Sequence, residues 1–209
     1  MRVEVPAEVS AAIPICDTTG TCVGEKKLLN IAHRAQQNGY YCGPATGVMV
    51  ALKLGKKTSN SGGLSLNQTN MAGSGYMRTA ANQVTEFWGG LRTVGLNRWL
   101  RGTDTGYYSQ VGTPTTGEFR SALLFNIDDN HPMGVSTVEF RGTASYNGHN
   151  TSLDDVGHWI VADGYSQFRD VTHFKDPATS VWPATTVASF TKKTNSFVTQ
   201  WGKYNGFSA

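Results

Sequence analysis

Gln36-Gln37-Asn38-Gly39-Tyr40-Tyr41-Cys42-Gly43-Pro44-Ala45 leads into an apolar series, Ala45, Val48, Met49, Ala51, Leu52 and Leu54, that ends at Gly55. The spacing predicts a helix over roughly 42–54 with one side buried, started by Gly43-Pro44 and stopped by the glycine. Cys42 is therefore placed at a helix N-terminus, where unpaired backbone N–H groups and the positive end of the helix dipole favour a thiolate. A thiolate is the nucleophilic form of cysteine, and a cysteine nucleophile needs a base and an oxyanion donor elsewhere in the chain.

Working outward from that helix, the N-terminal half reads as helical and the C-terminal half as strands. Met77, Ala80, Ala81, Val84, Phe87 and Trp88 recur at helical spacing over 76–88, and Val94, Leu96, Trp99 and Leu100 suggest a short third helix. Thr115 or Thr116 caps a helix expected over about 117–128, which carries Phe119, Leu123, Leu124 and Ile127. Tyr107-Tyr108 and Val135–Phe140 read as strands. So do His158–Tyr165 and Asp170–Lys175, which form a hairpin around a short polar turn. Thr186–Phe190 and Phe197–Trp201 are further strand candidates. Helices followed by strands make the chain α+β. Residues 1–30 read as an irregular arm and 31–209 as one domain, with no repeat and no linker to a second domain.

Of the five histidines, His158 is the best base, because it opens an apolar strand directly after Gly157, where its ring can face a cleft. His149, in the polar run Tyr146-Asn147-Gly148-His149-Asn150, reads as a surface loop. His131 precedes Pro132 at a connection, and His33 lies just before the cysteine segment. The base needs an orienting acceptor. Asp163 lies on the same strand but alternation turns it away from His158, whereas Asp176 ends the returning hairpin strand beside the histidine. Gln36, six residues before Cys42, is placed to donate its amide to an oxyanion beside the Cys42 N–H. Gln37 is its adjacent competitor, and only the spacing separates them.

The chain has three cysteines. Cys16 and Cys22 bracket Asp17–Thr21 and are expected to close a small disulfide ring, leaving Cys42 as a lone thiol. Two cysteines without a nearby histidine make no zinc site, and no metal or organic cofactor is expected. Net charge is +3, and the basic pairs Lys26-Lys27, Lys56-Lys57 and Lys192-Lys193 form no larger block, so nucleic acid is not an expected partner. No apolar run approaches the roughly 18–20 residues of a spanning helix. Charged residues are only 16% while Gly, Ser, Thr and Asn abound, which suits a secreted protein supplied without its leader.

Taken together, Gln36…Cys42-Gly43-Pro44-Ala45, Gly157-His158-Trp159-Ile160-Val161 and Asp176-Pro177 resemble the papain-fold cysteine peptidases of the bacteriocin-processing (double-glycine leader) family. The likeness is to its stand-alone, secreted actinobacterial members and spans roughly 30–180. It implies a papain-like fold, a peptide or protein substrate, and four roles: Cys42 nucleophile, His158 general base, Asp176 orienter, Gln36 oxyanion donor. Tyr41 stands where exporter-type members commonly carry an acidic residue, and no transporter segment follows, so export coupling is not expected. Acyl transfer to an amine or thiol, cell-wall peptide trimming, and non-catalytic peptide binding are the alternatives on the same fold.

Overall fold

The first long helix, α1 (Cys42–Lys53), is buried on every side from Cys42 to Ala51, rather than on the single side its apolar spacing predicts. The cause is its position: sheet and helices pack around it. Pro44 is tolerated because it falls in the first turn, where a helix makes no use of the backbone N–H.

The computed structural model describes residues 15–16, 22–23, 26–60, 62–85, 91–167 and 169–209; for 15–16, 22–23, 91 and 92 only the backbone is described. Strands β1 (Ile15–Cys16) and β2 (Cys22–Val23) form a small antiparallel ladder. Strand β3 (Lys27–Leu28), within the stretch expected as an arm, joins the main sheet. After α1 come two single-turn helices, α2 (Gln68–Met71) and α3 (Thr79–Asn82), then α4 (Leu91–Arg101), β4 (Gln110–Val111) and α5 (Thr116–Asp128). The C-terminal half supplies β5 (Met133–Glu139), β6 (Val156–Ser166), β7 (Val171–Lys175), a 3-10 turn at Pro177–Ser180, β8 (Ser189–Lys193), α6 (Thr194–Gln200) and β9 (Phe207–Ser208). The main sheet has seven strands in the order β4-β9-β5-β6-β7-β8, with β3 alongside β6, and every pairing is antiparallel. The fold is α+β, with helices packed on an antiparallel sheet, as expected. No helix among the described residues is long and apolar enough to cross a membrane.

Strand β6 is the spine. It pairs with β5 from Val156 to Ala162, with β3 at Gly164 and Tyr165, and with β7 on its other edge, where the register shifts between Ala162 and Gly164. A Cβ on Gly164 would stand 2.5 Å from the Lys27 carbonyl oxygen, so only glycine lets β3 approach there. Helix α5 begins with a capping box in which Thr115 accepts from the Glu118 N–H and Glu118 accepts from the Thr115 N–H. It lays Phe119, Leu123 and Ile127 into the core beside Val135, Ile160, Phe174 and Phe207.

Four sequence expectations change. The helix expected over 76–88 is a single turn bounded by Arg78 and Gln83, both in left-handed backbone (φ 56° and 55°); Phe87 and Trp88 lie outside the described residues. Tyr107-Tyr108 is not a strand, which comes instead at Gln110–Val111; the Asn97 side chain brackets the Tyr108 backbone by accepting from its N–H and donating to its carbonyl. The strand expected at 186–190 starts only at Ser189. Finally, 197–201 is not a strand: Thr194–Gln200 is helical, because Thr194, Phe197, Val198 and Trp201 then face one core side.

Candidate active site

The N-terminus of α1 carries no side-chain cap and no acidic residue in its first turn. The Cys42 sulfur takes up that vacancy in hydrogen bonding, accepting from the Gly43 and Trp159 backbone N–H groups and bonding to His158. Strand β6 delivers His158 and Trp159, and the Thr46 hydroxyl of α1 donates to the Trp159 carbonyl at 3.1 Å, tying helix to strand one turn from the thiol. The Trp159 side chain packs on Cys42 and its indole donates to the Thr85 carbonyl at 3.0 Å.

His158 Nε2 donates to Asp176 Oδ1 at 2.8 Å, which leaves Nδ1 as the ring nitrogen for the thiol. Asp176 is fully buried and reaches His158 because β7 ends at Lys175, opposite Val161, and the chain then turns into the 3-10 segment that Asp176 itself caps through the Ala178 N–H (2.9 Å). The hairpin thus brings Cys42, His158 and Asp176 into one hydrogen-bonded line. Asp163, by contrast, faces Lys175 (3.8 Å) and its carbonyl accepts from the Leu29 N–H, so it fastens the segment before α1.

Electrostatics follow from this line. Burial alone raises the Cys42 thiol, but the His158 hydrogen bond and charge, with the two backbone N–H groups, bring it below the ordinary value. Burial works against the His158 charge, yet the Asp176 carboxylate and Cys42 push the imidazole up to about 10. Burial likewise opposes ionisation of Asp176, and His158 and His149 overcome it, holding the carboxyl far below the usual carboxylate range. Both shifts favour the thiolate–imidazolium form of the pair.

Gln36 is buried on the extended segment before α1. Its backbone N–H donates to the Pro177 carbonyl, its carbonyl accepts from Ser180, its amide Nε2 donates to the Asn38 carbonyl at 2.7 Å, and its Oε1 has no partner. It is thereby pinned to the residues just after Asp176. Gln37 turns the other way: its N–H donates to Gln68 Oε1, and its own Oε1 accepts from the Thr69 hydroxyl on α2.

The sequence missed three residues here. His149 is no surface loop. Its ring is buried, with Nε2 2.9 Å from Asp176 Oδ2 and Nδ1 2.6 Å from Glu139 Oε2. Asn147 donates to the same Asp176 oxygen at 2.8 Å. A signal existed in Glu139, which shares a strand face with Val135 and Thr137; an acid on a core face demands a buried partner. Of the other histidines, His33 donates to the Asp176 carbonyl (2.8 Å), His131 pairs with Tyr107 and Asp129, and His173 pairs with Ser166. His149, His158 and Asp176 hold their ligand-type atoms within 4.8 Å of one another, with both rings hydrogen-bonded to the Asp176 carboxylate.

A cleft of about 490 Å³ opens over Cys42 and His158, walled by Tyr40, Val84, Thr85 and Trp159 among others. A profile of the Peptidase_C39 like family matches residues 28–208. The chain belongs to this family and is a cysteine peptidase. Among solved structures it is similar to xylellain, a cysteine protease from Xylella fastidiosa, at 10% identity over 97% of this chain and 92% of that one, with a TM-score of 0.44. No curated protein matches it.

Gly43, between Cys42 and Pro44, is set by packing. A Cβ there would fall 2.2 Å from Thr85 Oγ1 and 2.5 Å from Thr85 Cβ. Gly43→Ala therefore forces the Thr85 wall of the peptidase cleft outward and strains its bond with Trp159. We expect a loss of about 1–3 kcal/mol in thermal unfolding, with peptide turnover falling more than that stability loss accounts for at a temperature where the variant is folded.

Proposed function

We propose that the protein hydrolyses peptide bonds through a thioester acyl-enzyme, with Cys42 as nucleophile, His158 as general acid and base, Asp176 as its orienter, and Gln36 with the Cys42 N–H as oxyanion donors. The observation that carries this reading is the buried Cys42–His158–Asp176 line opening on the cleft. In the first step the Cys42 thiolate bonds to the scissile carbonyl carbon, and the carbonyl electron pair moves onto oxygen, where the donors receive it. The oxyanion collapses, the C–N bond breaks, and the His158 imidazolium gives its proton to the departing amine. Neutral His158 then takes a proton from water, whose oxygen attacks the thioester; the acid leaves, and thiolate and imidazolium are restored.

The described lining of the cleft carries no Lys, Arg, Asp or Glu. That favours a peptide with uncharged residues at the scissile bond, held through shape and backbone hydrogen bonds. A secreted setting with a Cys16–Cys22 disulfide belongs to the same proposal. It is supported by the backbone register, which sets Cys16 directly opposite Cys22 in the β1–β2 ladder.

The test couples two measurements. Brief iodoacetamide treatment at a series of pH values, with mass mapping, should label Cys42 at lower pH than an ordinary thiol, because its pKa is lowered and reactivity fades as falling pH protonates the thiolate. A peptide library, with and without excess amine acceptor, should then give hydrolysis products. Amide products in the presence of acceptor would make the enzyme a transferase, and labelling that begins only at ordinary thiol pH would remove Cys42 from the nucleophile role.

A further inference from the structure

We propose that Glu139 and His149 form the outer half of the catalytic apparatus: Glu139 holds His149 as a standing imidazolium, whose charge shares Asp176 with His158 and tempers how tightly His158 keeps its proton. The proposal rests on the catalytic reading of Cys42, His158 and Asp176 given above.

The geometry is a proton count. Both His149 ring nitrogens lie at hydrogen-bond distance from a carboxylate oxygen, 2.6 Å to Glu139 and 2.9 Å to Asp176, and a carboxylate only accepts. A neutral imidazole has one N–H and satisfies one of the two; an imidazolium satisfies both. The remaining Asp176 acceptor sites take Asn147 Nδ2, His158 Nε2 and the Ala178 N–H, and Glu139 Oε1 takes the Tyr146 N–H at 2.7 Å. Neither side chain of the His149–Glu139 pair is exposed. Written along the line, Cys42, His158, Asp176, His149 and Glu139 alternate in sign, so each buried charge meets an opposite one.

Of the groups that face His149, the carboxylates favour a cation and the His158 imidazolium opposes it. Glu139 comes from β5, Asp176 from the turn after β7, and His158 from β6 with its ring centroid 4.9 Å away. Trp182 packs against the ring at 4.7 Å with its plane tilted by 34°, while Tyr146 packs at 4.9 Å with the planes crossed at 82°. The Tyr146 hydroxyl is turned away to Thr137. Burial disfavours charge on His149, but Asp176 and Glu139 outweigh it and raise its pKa above the ordinary value.

The consequence for catalysis has a sign. With Glu139→Gln, the new amide can donate to Nδ1, so His149 becomes neutral and still donates from Nε2 to Asp176. Asp176 then has one cationic neighbour in place of two, and His158 holds its proton more firmly. The alkaline limb of the kcat/KM profile should move upward. Turnover should fall about 10-fold, the scale seen when an outer partner of a functional histidine is lost. Glu139→Asp, which keeps the charge, should return both quantities toward wild type.

Histidine-ring nitrogen NMR on the full chain tests the charge directly and needs no variant. In the wild type, both His149 ring nitrogens should remain protonated as pH rises past the ordinary histidine value of about 6.5. In Glu139→Gln, with unchanged circular dichroism, the ring should carry a single proton there. A wild-type His149 that titrates as an ordinary neutral ring overturns the proposal, as does a Glu139→Gln profile whose alkaline limb stays in place or moves down. Failure of the catalytic reading looks different: His149 doubly protonated, but Cys42 inert to iodoacetamide near neutrality. That result would overturn the tuning role along with the reading beneath it.

Discussion

Asp176→Asn should lower peptide turnover by about 10⁴-fold, the scale expected when an orienting carboxylate is replaced by an isosteric amide and its histidine takes the wrong tautomer. Asp176 is the acceptor for His158, His149, Asn147 and the Ala178 N–H, all inside the protein. An amide has one accepting oxygen in place of two, and its NH2 meets a donor where the carboxylate had an acceptor. The ring that meets the NH2 must give up its proton, and in either orientation loss of the carboxylate charge weakens the His158 imidazolium that supports the Cys42 thiolate. Asparagine is the informative replacement because alanine removes the only counter-charge between two buried histidines, a change that costs about 3–5 kcal/mol and endangers folding itself. Iodoacetamide kinetics supply the second readout: Cys42 labelling in Asp176→Asn should require higher pH than in wild type. Asp163→Ala, measured beside it, should leave labelling intact and show its effect in unfolding, since Asp163 braces Lys175 and the Leu29 segment. Full activity in a folded Asp176→Asn would remove Asp176 from the orienting role.

Gln36→Ala should reduce turnover by about 10²–10³-fold while sparing Cys42 alkylation, because an oxyanion donor acts only on charge that develops after attack. The side chain is suited to such a test. Its Nε2 uses one proton on the Asn38 carbonyl and has a second to give, whereas its Oε1 is buried without a partner. Removing the amide forfeits one hydrogen bond of about 0.5–1.5 kcal/mol and also removes an orphaned acceptor, so stability should change little. Gln37→Ala, on the side facing α2, should be mild. Comparable losses in both variants, or a loss of alkylation in Gln36→Ala, would mean that Gln36 supports the loop rather than the reaction.

By itself the sequence determined those features in which local chemistry and tertiary packing point the same way. A cysteine before Gly43-Pro44 and an apolar helical series starts α1, a threonine at 115 or 116 starts α5, and the hairpin from His158 through Asp170–Lys175 returns Asp176 to the histidine by strand geometry alone. The tertiary structure decided the rest. Phe197, Val198 and Trp201 fit a strand or a helix by composition, and burial of one face with Thr194 selects the helix. Over the described residues 76–85 the helical run is lost because left-handed Arg78 and Gln83 break it. His149 sits in a polar stretch that reads as surface, yet the fold needs a cation between two buried carboxylates, Glu139 and Asp176, which lie 37 residues apart in the chain. A local window carries no trace of that demand, because the cost of an unpaired buried charge arises only when β5 and the turn after β7 meet.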